Sequence, residues 1–127
     1  MSPKNFFNID DSTGGIARNL APGISTTVFP GDQAMISVVR LEPDARGVLH
    51  HHPEEQWGYC VSGSGTRYQG DETVSVSVGD FWRTPGGLSH TMQAGAKGMV
   101  VIDVFAPPRK EYTKSGDGFA APNVTDQ

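Results

Sequence analysis

Thr73-Val74-Ser75-Val76-Ser77-Val78 is followed at once by Gly79-Asp80. Valine and serine alternate with period two. Successive side chains on a strand point to opposite faces, so the valines share one face and the serines the other. The run predicts a half-buried β-strand, and Gly79-Asp80 predicts the turn that ends it. Short β-branched segments bounded by glycine or proline recur in both directions. Upstream, Gly23 to Phe29 reads as a strand stopped by Pro30-Gly31-Asp32, and Ala34 to Leu41 as a stronger one. Gln56 to Ser62 reads as a strand, Gly63-Ser64-Gly65 as a hairpin turn, and Thr66 to Gln69 as the return. Downstream, Phe81 to Arg83 is short and extended, and Pro85-Gly86-Gly87 breaks it. Ser89 to Gln93 follows, and Gly98 to Ala106 is the most apolar segment before Pro107-Pro108. Sixteen glycines and nine prolines in 127 residues supply the turns. The pattern predicts an all-β sandwich or barrel. No helix, repeat or domain boundary emerges, so residues 1–127 are expected to form one domain. Residues 1–20 would be an N-terminal arm and 114–127 a loosely ordered tail.

Composition excludes several functions. The net charge of −4 and the lack of a basic cluster argue against nucleic acid and anionic membranes as partners. The start of the chain lacks the apolar core of a signal peptide, and no apolar run reaches membrane-spanning length. Cys60 is the single cysteine and can form no intrachain bridge. The expectation is a cytoplasmic, water-soluble protein.

Three of the four histidines lie in Leu49-His50-His51-His52-Pro53-Glu54-Glu55-Gln56. Strand parity places His50 and His52 on one face and His51 on the other. Gln56 falls on the face of His50 and His52 if the intervening residues keep the phase. The fourth histidine, His90, would come from another strand. Three imidazoles with a carboxamide or carboxylate oxygen suit one divalent transition metal with open positions: Mn, Fe, Co, Ni or Zn. A solvent-facing histidine cluster is the alternative reading.

The chain resembles the cupin superfamily (RmlC-like) at two motifs. The first is His50-x-His52 with Gln56 and then Gly63. The second is Gly79-Asp80-Phe81-Trp82-Arg83-Thr84-Pro85-Gly86-Gly87-Leu88-Ser89-His90, complete through the histidine. Gln56 stands where the family usually has glutamate, Ala94 where it often has asparagine, and Ala45 where a glycine precedes the histidines. The resemblance implies a single-domain double-stranded β-helix, a jelly-roll barrel. It also implies a homodimer, which an open sheet edge within residues 15–30 would favour independently.

Asp103 interrupts the apolar run Met99 to Ala106 and shares a face with Val101 and Phe105. Burying a carboxylate is costly without a partner. Asp103 is therefore either an ion-pair partner of a cation such as Arg109 or a general acid/base beside the metal. The ending Asp103-x-Phe105-x-Pro107-Pro108-Arg109, with the histidine motif, resembles the KdgF-type pectin-degradation cupins. These convert 4,5-unsaturated uronates to linear ketonised sugar acids. The resemblance implies His50, His52, Gln56 and His90 as metal ligands, Asp103 as acid/base, Phe105 as the ring-packing aromatic and Arg109 as the carboxylate clamp. The function expected is an isomerase or tautomerase acting on a small carboxylate-bearing substrate. The alternatives are a metal-dependent dioxygenase or lyase on another small molecule, and a ligand-binding cupin without activity.

Overall fold

A computed structural model describes residues 5–119. Its strands are β1 (Ile16–Ala21), β2 (Ile24–Pro30), β3 (Met35–Leu41), β4 (Glu55–Gln69), β5 (Glu72–Ser77), β6 (Phe81–Thr84), β7 (His90–Ala106) and β8 (Gly116–Asp117). A single 3-10 turn spans Lys110–Thr113, and the described residues hold no α-helix. None of their helices is long and apolar enough to cross a membrane.

The strands form one sheet in the order β5-β4-β7-β3-β2-β1-β8, with β6 paired to β4. All ladders are antiparallel except the short one between β1 and β8. The sheet wraps into a jelly-roll barrel. Alternate residues of β2 (Ile24, Thr26, Val28) and β3 (Met35, Ser37, Val39, Leu41) are buried. With Met99, Val101 and Phe105 of β7 they fill the interior. Period-two patterning is what puts one face of each strand inside.

Two expectations about strand breaks are corrected. Gly63-Ser64-Gly65 is not a hairpin: β4 runs through it without interruption, and the hairpin lies at Gly70-Asp71. The glycines serve a register shift against β7 between Cys60 and Gly65. Gly63 has φ +74°, and a Cβ there would lie 2.0 Å from the Gly98 carbonyl oxygen. Only glycine allows that approach. Likewise the segments around His90 and Val101 are one strand, β7, not two. The valine face of β5 is also less buried than its alternation suggests. Only Val76 is inside, while Val74 and Val78 are exposed, because β5 lies at the sheet edge.

The chain ends join the sheet further than expected. Residues 16–20 of the anticipated arm belong to β1, and β8 in the anticipated tail pairs with it at Arg18 and Asn19. β8 thereby covers part of the edge expected to be open. The rest of the expected tail, from residue 120, lies outside the described residues.

Candidate metal centre

His50 and His90 face each other in an isolated antiparallel bridge that joins the loop before β4 to the start of β7. Both are buried, as is His52, whereas His51 is not part of the cluster. One ring nitrogen from each of His50, His52 and His90 lies within 4.8 Å of the others. The parity reading of this stretch therefore matches the burial.

Backbone carbonyls fix the ring orientations. The Nδ1 of His50 donates to the Val48 carbonyl at 2.6 Å, that of His52 to Glu54 at 3.1 Å, and that of His90 to Leu88 at 2.8 Å. A carbonyl only accepts, so each Nδ1 carries the proton and each Nε2 presents a lone pair. Burial keeps the rings neutral. It lowers the pKa of His50 to about 4, of His52 to about 4 and of His90 to about 2. The Arg67 charge adds to the depression at His90.

The three lone pairs suit a Lewis acid. His90 Nε2 is buried and has no hydrogen-bond partner. His52 Nε2 lies 3.0 Å from Gln56 Oε1, so two acceptors face one another. A divalent cation among these atoms would satisfy all of them, whereas a buried unsatisfied acceptor is rarely kept without a purpose. Three histidines are thus positioned for metal binding, with a carboxamide oxygen alongside. Residues 37–105 match the cupin domain family, which spans this cluster.

The chain belongs to the cupin family. It is 28% identical to KdgF from Halomonas sp. over 75% of this chain and 90% of that one, with a TM-score of 0.70. An RmlC-like cupin from Shewanella frigidimarina shares the fold at 20% identity and a TM-score of 0.74, covering 87% of this chain and 96% of that one. The oxalate decarboxylase OxdC of Bacillus subtilis (strain 168) is 35% identical over 98 residues. That match takes in 72% of this chain but only 24% of the decarboxylase, so this cupin spans about a quarter of that relative.

His50 and His90 line a cavity of about 50 Å³, room for a few water molecules. Asp103, Phe105, Gln56 and Arg67 line it. Burial raises the Asp103 pKa to about 6, opposed by the Arg67 charge and then by the Gln56 amide. Phe105 packs edge-on against His52 at 5.5 Å. Arg109 sits elsewhere. It is fully buried, its Nε is 3.5 Å from Glu54 Oε1, and its guanidinium lies 4.2 Å from the centre of the Tyr112 ring. Glu54 Oε1 is also 3.5 Å from His52 Nδ1. Arg109 therefore stands behind His52, and neither residue lines the cavity.

Two cavity residues went unread in the sequence. Arg67 sits past the register shift in β4, where parity counted from Gln56 points the wrong way. Phe119 stacks on His50 with ring centres 4.2 Å apart and lines the cavity. Arg18 holds that segment in place, donating to the carbonyls of Glu111, Lys114, Asp117 and Gly118. No motif marks Phe119, because its position comes from tertiary contacts alone.

Proposed function

We propose that this cupin is a metal-dependent enzyme that opens and tautomerises 4,5-unsaturated uronates, with His50, His52, Gln56 and His90 as the metal ligands. The observation that carries this reading is Asp103: a carboxyl group on the wall of the cavity that Gln56, His50 and His90 also line, its pKa raised by burial. A group so poised can both take and return a proton at physiological pH. The likeness to KdgF from Halomonas sp. over most of both chains supports the substrate class.

A divalent metal held by these ligands would supply Lewis acidity at a substrate oxygen. The protein's own residues supply the rest. Asp103 moves a proton between oxygen and carbon of the substrate, so no atoms are gained and no electrons change hands. Phe105 offers the substrate an apolar wall; a sugar ring needs more room than the cavity of about 50 Å³ gives, so Phe119, which lines it, has to move aside on binding. Glu54 and Arg109 brace His52 from behind.

The test is to incubate the metal-loaded protein with 4,5-unsaturated galacturonate and follow the absorbance of the double bond. Loss of absorbance is expected; an unchanged signal would overturn the proposal. A second reading, a lyase or dioxygenase acting on another small acid, draws on the likeness to oxalate decarboxylase and on the small cavity. Release of carbon dioxide or uptake of oxygen with such an acid would favour it.

The proposed protein is a homodimer. Ile36, Trp57, Tyr59 and Phe81 are exposed on the outer face of the barrel. Register aligns Ile36 with Val104 and Trp57, and Tyr59 with Ile102 and Phe81, in two adjoining apolar rows. Light scattering should give twice the monomer mass, and Tyr59→Lys should halve it.

A further inference from the structure

The described residues lining the cavity include one arginine, Arg67, and no lysine. Its guanidinium is held by neutral groups. Nη2 donates to Thr84 Oγ1 at 2.9 Å and Nε to Gln69 Oε1 at 3.3 Å, while the Thr84 hydroxyl donates to Gln69 Oε1 at 2.6 Å. Trp82 flanks it, with its ring centre 5.7 Å from the guanidinium carbon. Threonine, glutamine and indole orient the side chain but do not neutralise it. Among the described residues, Asp103 is the one carboxylate on the same wall, and its charge is felt at Arg67. Yet no ion pair within 4.0 Å joins the two among the described residues.

The other buried arginines differ. Arg109 has the Glu54 carboxylate beside it. Arg18 donates to four backbone carbonyls. Among the described residues, Arg67 alone combines burial, a cavity-lining position and no carboxylate within 4.0 Å. A buried guanidinium in that state is costly unless an anion completes it.

We propose that Arg67 binds the carboxylate of the substrate, so that the ligands of this cavity are small acids with a second oxygen donor within reach of the histidines. This rests on the metal-site reading and names the substrate group that the site selects. The anion-binding place expected of Arg109 passes to Arg67, because Arg109 is already paired and lies off the cavity wall.

The experiment is calorimetric titration of the manganese-loaded protein with D-galacturonate, with its methyl ester and with malonate. Both acids are expected to bind, and the ester at least about tenfold more weakly than galacturonate, the scale of one lost charged contact. Arg67→Gln should weaken acid binding about tenfold or more, leave ester binding unchanged and keep the metal content of the parent. Arg67→Lys keeps the charge but not the planar fork; it should give an intermediate affinity for acids, and it serves alone if the glutamine variant does not fold. Equal loss of acid and ester would mark Arg67 as structural and overturn the proposal. So would unchanged acid binding in either variant, or failure of the parent to bind any of the acids. Arg67-dependent malonate binding without turnover of unsaturated uronate would uphold this inference and sink the uronate reading, which separates the two.

Discussion

At the residue scale, the pairing of Gln56 with Asp103 shapes the chemistry. Most cupins would have glutamate at the position of Gln56, by the motif described above. A carboxylate there would face Asp103 within one small cavity, and two such groups would compete for a single proton. The amide avoids this. Its oxygen faces His52 Nε2, and its presence lowers the Asp103 pKa instead of raising it. As a ligand, the neutral amide would also leave more positive charge on a bound metal. Asp103 is thus free to titrate as a single group. Asp103→Asn keeps the size and removes the acid. It should retain full metal content and lose about 10²- to 10⁴-fold in turnover, the usual contribution of a positioned acid/base. Metal analysis alongside the absorbance assay checks both halves. Normal turnover would remove Asp103 from its role.

At the element scale, β4 and β7 explain both the site and the limits of the sequence. Their pairing spans nearly the whole of each strand. β7 begins with His90 and carries Asp103 and Phe105 near its end; β4 carries Gln56 near its start and Arg67 near its end. Gln56, Asp103 and Phe105 were legible because each keeps simple parity with a neighbour. Arg67 was not legible. Two register shifts between Cys60 and Gly65 move the inward face from even to odd positions, so that Cys60 and Arg67 are both buried. Glycine spelled a turn in the sequence; the close approach of the Gly98 carbonyl, invisible there, makes it a bulge instead. Residues 114–119 are a second case. Their composition predicts a loosely ordered tail, but the Arg18 hydrogen bonds to Lys114, Asp117 and Gly118 strap them against β1. Arg18→Ala should release this strap. Amide exchange in residues 114–119 should then speed up, and a chelator should strip the metal about tenfold faster, while the barrel strands stay protected. Unchanged metal loss would show that Phe119 does not guard the site.

At the scale of the whole molecule, the buried histidines link stability to pH and to metal. In the apoprotein, burial holds His50 and His52 near pKa 4 and His90 near 2, against 6.5 in an unfolded chain. As pH falls below about 6.5, the unfolded chain takes up three protons that the folded one refuses. Each therefore favours unfolding in that window. Asp103 works the other way: its pKa is raised from 3.8 to about 6, so between those values the folded state holds a proton that the unfolded one lacks. Three groups outweigh one. The apoprotein should lose stability steadily from pH 6.5 down to about 4, where His50 and His52 begin to protonate in the fold. A bound metal adds to the effect, because it requires unprotonated Nε2 atoms and binds the folded state only. Thermal midpoints of the chelator-treated protein at pH 7.5, 6 and 5 should fall in that order. Adding manganese should raise the midpoint at pH 7.5 far more than at pH 5. A flat apoprotein profile from 7.5 to 5 would mean that the histidines are not held neutral by burial, and the geometry of their Nδ1 hydrogen bonds would need another explanation.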